Sequence, residues 1–186
     1  MGDAQEPKLK KYYVTAARDS ALWAWGPRGV EQIASLMPER ERAEIFAEVL
    51  PPWVSEHSLI AMGIGIWTGP AKQSRHEYFK FLHHTTDISF GRVRKVLMAT
   101  ATPEKIISMA DELWKSDHTH GSWETHVAPN RARMVLVGHP YCDSPHGRTS
   151  LAEQIRYIVQ LTRAREVTAS YGLVTPGAME ITLRWK

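Results

Sequence analysis

Cysteine is nearly absent: Cys142 is the one cysteine in 186 residues. A single cysteine closes no internal disulfide, so the composition does not mark an oxidising compartment. Long apolar runs are missing too. The longest, Leu59 to Trp67, is too short to cross a bilayer and carries Gly63 and Gly65. The first residues, MGDAQEPKLKK, hold no apolar signal core. A cytoplasmic protein without a membrane partner is the expectation. Charge of one sign is also scarce: 23 Lys and Arg stand against 20 Asp and Glu. The basic residues are scattered, with small clusters at Lys8 to Lys11 and Arg92 to Lys95. A nucleic-acid binder would gather them on one face with exposed aromatics between, so no nucleic-acid partner is expected. Internal repeats and low-complexity tracts are lacking. So are a phosphate-binding glycine loop, a serine nucleophile elbow and a paired-carboxylate motif.

What remains has the composition of an ordinary globular protein, 43% hydrophobic and 23% charged. The length suits one domain, with residues 1–11 flexible and residues 12–186 forming a single α+β domain of ligand-binding type. Helix signals dominate before residue 120. A helix is expected from Ala16 to Trp25, broken at Gly26 and Pro27, with a second reaching Met37. A charged helix, Glu39 to Val49, should turn Ile45, Phe46 and Val49 inward. Trp53 to Trp67 reads as a largely buried helix whose glycines permit close approach of another chain segment or a ligand. Ser74 and Glu77 form a capping box for a helix with Tyr78, Phe79, Phe81, Leu82 and Thr85 on its inner face. A further helix over Asp87 to Ala99 should bury Ile88, Val93, Val96 and Leu97. Thr102 caps the next, with Pro103 in its first turn.

After Gly121 the periodicity changes to two. Trp123 to Val127 and Ala132 to His139 read as a hairpin, with Trp123 opposite Leu136 and Thr125 opposite Met134. Glu124, His126, Arg133, Val135 and His139 then share the other face, although a one-residue slip would reverse every side chain. Ser150 and Glu153 form a second capping box. Glu166 to Tyr171 and Met179 to Trp185 are the last strands, joined around Pro176 and Gly177. The order predicts an α+β fold, a helical N-terminal layer packed on a C-terminal antiparallel β-β-α-β-β sheet.

Nine histidines are many for this length, and they fall into groups. His118, His120 and His126 lie in DHTHGSWETH and could converge on a metal ion. A polar loop entering a half-exposed strand would account for them equally. His139, Cys142 and His146 have a spacing that could bind zinc or set a thiolate beside an imidazole, within what otherwise reads as a strand-to-helix loop. His83, beside Phe79, could face a pocket as an acid–base group or an iron ligand. Glu124, His126 and His139, with Arg133, could orient a polar ligand or move a proton if the hairpin register holds. Seven tryptophans could line a cavity for a flat or aliphatic ligand, Trp23, Trp25, Trp67 and Trp123 among them.

Several landmarks occur together: Leu50-Pro51-Pro52-Trp53, Thr102-Pro103 with Leu113-Trp114, and Gly121. Gly138-His139-Pro140, Gly147 and the closing Leu183-Arg184-Trp185 follow. In this order they resemble the myxobacterial paralogous family of small proteins of unknown function. That family is similar in fold to 4-vinyl-reductase-type domains and to haem–nitric-oxide-binding (H-NOX) domains. The resemblance implies an internal pocket between a helical layer and a twisted sheet, often in a homodimer, and implies no reaction. The Tyr-x-Ser-x-Arg haem-propionate motif of H-NOX domains is absent from this sequence, as is the cysteine-rich pattern of some vinyl-reductase-type domains.

Two functions follow as expectations. One is a sensor or carrier domain holding a small hydrophobic or aromatic ligand between helices and sheet, touched by Trp67, Phe79, His83, Trp123 and Arg133. The other is a cofactor-free or metal-assisted enzyme of specialised metabolism using His126 with Glu124 or His139. The sequence leaves the cofactor open; haem and a divalent metal are both possible and neither is favoured.

Overall fold

The computed structural model describes residues 5–186, and the side chains of residues 91–99 lie outside the description. Strand β1 (Lys8–Lys10) runs directly into helix α1 (Lys11–Ser35), followed by α2 (Glu39–Ile45) and β2 (Trp53–Ser55). Helices α3 (Glu56–Thr68), α4 (Arg75–Thr100), α5 (Pro103–Ser108) and α6 (Ala110–Asp117) complete the helical half. Then come β3 (Ser122–Ala128), β4 (Arg131–Val137), α7 (Pro140–Asp143), α8 (Pro145–Gln160), β5 (Thr168–Thr175) and β6 (Ala178–Arg184). The architecture is the α+β layering expected, with a four-stranded antiparallel sheet in the order β3-β4-β6-β5.

The N-terminus corrects the sequence reading. Instead of a flexible segment through residue 11, β1 pairs antiparallel with β2, and Leu9 is buried against Val54. Backbone bonds anchor it together with Leu9: the Glu56 amide donates to Pro7 O at 3.0 Å and the Thr119 amide to Lys8 O at 2.9 Å. The same pairing turns Trp53–Ser55 from the start of a helix into a strand, so α3 begins at Glu56. In α1 the expected break is present as a kink: Gly26 adopts φ 64°, ψ −173°, and Pro27 restarts the helix. Helix α2 stops at Ile45, and Val49, expected inside, is exposed.

Helix α4 is continuous where two helices were expected, and Ser74 Oγ accepts the Glu77 amide at 3.4 Å. Ile88, expected inside, is exposed, and the inward placement expected of Val93, Val96 and Leu97 lies outside the described side chains. Thr102 Oγ1 caps α5 by accepting the Lys105 amide at 3.3 Å. The Ser150–Glu153 capping box is absent. Helix α8 starts at Pro145, five residues before Ser150, and Ser144 Oγ accepts the Gly147 amide at 3.0 Å. Serine-proline satisfies the same rule as the later box, and the upstream cap prevails.

In the sheet, Trp123 pairs with Leu136 and Thr125 with Met134, the predicted register. Trp123, Met134 and Leu136 face inward with Met179, Ile181 and Leu183 of β6, all buried. Helices α5 and α6 lie against β3, and α8 lies against β5 and β6. The core thus divides into two clusters. One joins α1, α3 and α4 around Ile33, Met62 and Phe81; the other joins α8 to the sheet around Leu136, Leu151 and Ile181.

Candidate functional site

Between these two clusters the protein is hollow. A cavity of about 610 Å³ is walled by Met62, Phe81 and Leu82 on one side and by Ile107, Leu151 and Ile155 on the other. The sheet reaches it only through Trp123 and Met134. The hollow expected between helices and strands is therefore mostly helix against helix, because α5, α6 and α8 cover the inner face of the sheet.

One polar cluster sits on its wall. The Tyr78 hydroxyl lies 2.6 Å from His146 Nε2 and 2.9 Å from Ser150 Oγ. Tyr78 comes from α4, and the other two from the first turns of α8. Gly63 on α3 makes room: a Cβ there would stand 3.0 Å from His146 Nε2 and 3.1 Å from the Tyr78 oxygen. Burial drives the His146 pKa down to about 4, against a smaller opposing effect of a hydrogen bond to the Gly63 backbone. Burial likewise pushes the Tyr78 phenol well up. Both groups are therefore neutral near pH 7, and the cluster offers hydrogen bonds without charge.

A second cluster lies where β2 meets α3. Glu56 is fully buried in the first turn of α3, and Nδ1 of His118 lies 2.5 Å from its Oε1. His139 Nε2 lies 3.1 Å from the same oxygen without hydrogen-bond alignment. Burial alone would raise the Glu56 pKa, but the two imidazoles outweigh it and hold it down at about 2. Trp114 stacks on the His118 ring with centroids 3.7 Å apart. His118, Trp114 and Tyr141 also line the cavity. Burial, reinforced by the Glu56 charge, holds the Tyr141 phenol well up.

This cluster redistributes the residues named from sequence. His118, His120 and His126 do not converge. His118 turns in to Glu56, His120 bonds its neighbour Thr119 at 2.9 Å, and His126 is exposed on β3. Glu124, His126 and Arg133 do share the outer sheet face, and Arg133 pairs there with Glu180 at 2.7 Å. His139 leaves them: Gly138, at φ 72°, turns the chain after β4, and His139 becomes the buried cap of α7. Val137 is exposed, so that face is open at its end. Cys142 is buried, its thiol pKa raised mainly by burial.

Of the residues expected to touch a ligand, Trp123 lines the cavity, whereas Trp67, Phe79, His83 and Arg133 do not. Trp67 packs edge-on against Tyr78 from behind. His83 points to α8, bonding Glu153 at 2.6 Å and stacking on Tyr157, while Arg156 also holds Glu153 at 2.7 Å. Trp23 is exposed and stacks on His84. The sequence reading missed Glu56, Tyr78 as a polar group, Ser150 and Trp114. Glu56 lies in the polar run Ser55-Glu56-His57-Ser58, and nothing in that run marks its carboxylate as buried.

With its helical half over an antiparallel sheet and a hollow between the two core clusters, the chain has the fold of H-NOX domains. The Fe(II) unliganded H-NOX protein from K. algicida superposes with a TM-score of 0.68 at 9% identity, covering 96% of this chain and 97% of that one. An oxygen-binding H-NOX domain related to soluble guanylate cyclases gives 0.59 at 10% identity, covering 96% of this chain and 95% of that one. A Cs H-NOX mutant gives 0.62 at 13%, with coverage of 96% and 97%. No family model and no curated protein matches the sequence.

Proposed function

We propose that this chain is a small-molecule-binding domain, a sensor or carrier, holding a hydrophobic or aromatic ligand in the cavity between α4 and α8. The cavity itself carries the reading. Protein interiors are close-packed, and voids larger than a water molecule are few. A hollow of about 610 Å³ falls within the range of roughly 300–1,000 Å³ occupied by ligand pockets. Its wall is mainly apolar, and Tyr78, His146 and Ser150 supply a few uncharged polar groups, which is how such pockets fix orientation. Trp114 and Trp123, mutually edge-on, offer ring surface to a flat ligand.

The H-NOX fold raises haem as the occupant. Haem needs an axial base and cations for two propionates. His118 is the candidate base, since Glu56 engages its Nδ1; His146 Nε2 is taken by Tyr78. Among the described residues, Lys105 is the one lysine or arginine lining the cavity. One cation does not match two carboxylates, so the described residues do not fit haem.

Homodimer formation and membership of the myxobacterial family belong to this proposal as the sequence implied them. Native mass spectrometry of the purified protein tests the reading. A non-covalent adduct of small-molecule mass is expected. It should be lost in Ala110→Phe, which fills the cavity from α6. An adduct retained in full by a folded Ala110→Phe protein would place the ligand elsewhere.

A further inference from the structure

We infer that Glu56, His118 and His139 form a buried site for one divalent first-row metal ion of the zinc type. The three residues come from the start of α3, the end of α6 and the cap of α7, segments far apart in the chain. One donor atom from each lies within 4.8 Å of the other two. Donors at about 2.0–2.1 Å from a tetrahedral ion stand about 3.3 Å apart. The contacts of 2.5 Å and 3.1 Å to Glu56 Oε1 therefore need to open by less than 1 Å to admit the ion.

The arrangement is incomplete without an ion. Glu56 Oε2 and His139 Nε2 are buried and have no hydrogen-bond partner, although buried polar atoms rarely go unpaired. A carboxylate with two imidazoles and no thiolate selects for zinc and its neighbours in the first row over calcium or magnesium. Surrounding groups hold the rings in place. Trp114 covers one face of His118, and His139 packs edge-on to Trp114 and Tyr141. Loading moves the ring proton of His118 from Nδ1 to Nε2. It also competes with the Tyr141 amide, which reaches His139 Nδ1 at 3.3 Å. Because His118 also lines the cavity, the ion would sit at the cavity wall. The site stands whether or not the cavity holds a ligand.

Metal-free full-length protein titrated with Co²⁺ alone, followed by Zn²⁺, tests this. The expected result is one equivalent of Co²⁺ with the visible absorption of a four- or five-coordinate ion, displaced by Zn²⁺. The double variant His120→Ala/His126→Ala removes the two histidines nearest to His118 in sequence without touching the three ligands, and should keep that equivalent. Nitrogen-15 histidine spectra should move at His118 and His139 on Zn²⁺ addition, and Glu56→Gln should lower affinity at least tenfold where it folds. Failure of folded wild-type protein to bind Co²⁺ overturns the site. So does loss of binding in His120→Ala/His126→Ala, or nitrogen-15 shifts confined to exposed histidines such as His57 and His76.

Discussion

The Tyr78 hydroxyl and His146 Nε2 meet at 2.6 Å in the space that Gly63 leaves open. Gly63→Ala places a methyl group 3.0–3.1 Å from both polar atoms, so they must part. Crowding of this kind costs about 1–3 kcal/mol, against a helix-propensity gain of at most about 1 kcal/mol. A net loss of about 1 kcal/mol is expected in urea unfolding. In the Tyr78→Phe background part of that loss should vanish, since the oxygen the methyl meets is gone. A double-mutant cycle over these two residues reads the coupling.

His146 sets a pH dependence. Burial lowers its folded pKa to about 4, below the usual imidazole value near 6.5. The unfolded chain therefore binds a proton between pH 6.5 and 4 that the folded chain refuses. Stability contributed by the neutral ring is complete above pH 6.5 and declines as pH falls to 4, by about 3 kcal/mol at most. Unfolding free energies of wild type and His146→Gln, measured from pH 7 to 4.5, should differ in slope. The wild type should lose more stability toward acid.

Ser144 is expected to matter as the α8 cap. Ser144→Ala removes the acceptor of the Gly147 amide and should cost about 1 kcal/mol in chemical denaturation. A neutral result would mean that α8 begins later, at the Ser150–Glu153 box suggested by the sequence.

The strands and their register were legible because alternation and the Pro129–Asn130 turn act locally: a period of two with a fixed loop allows one pairing. The Gly26 kink, the Thr102 cap and the close approach at Gly63 were readable for the same reason. The sites were not. Glu56 meets His118 across 62 positions, and Tyr78 meets His146 across 68. No spacing rule spans such distances. His139 was placed on the wrong face because Gly138 reads as a possible strand end without revealing that its left-handed turn swings the next residue inward. Helix α4 runs on through Thr85, Thr86 and Ser89, where the two expected helices met. Thr85 and Thr86 are buried, and all three hydroxyls bond back to their own helix.

The proposed function needs a hollow able to hold an apolar molecule between α4 and α8. A crystal structure of the protein pressurised with xenon tests it most directly, because dry apolar cavities take up xenon. Either xenon or a co-purified molecule is expected in density bounded by Phe81, Leu82, Ile107, Leu151 and Trp123. Side chains of Phe81, Leu82 and Leu151 collapsed into that volume, with neither xenon nor ligand present, would contradict it.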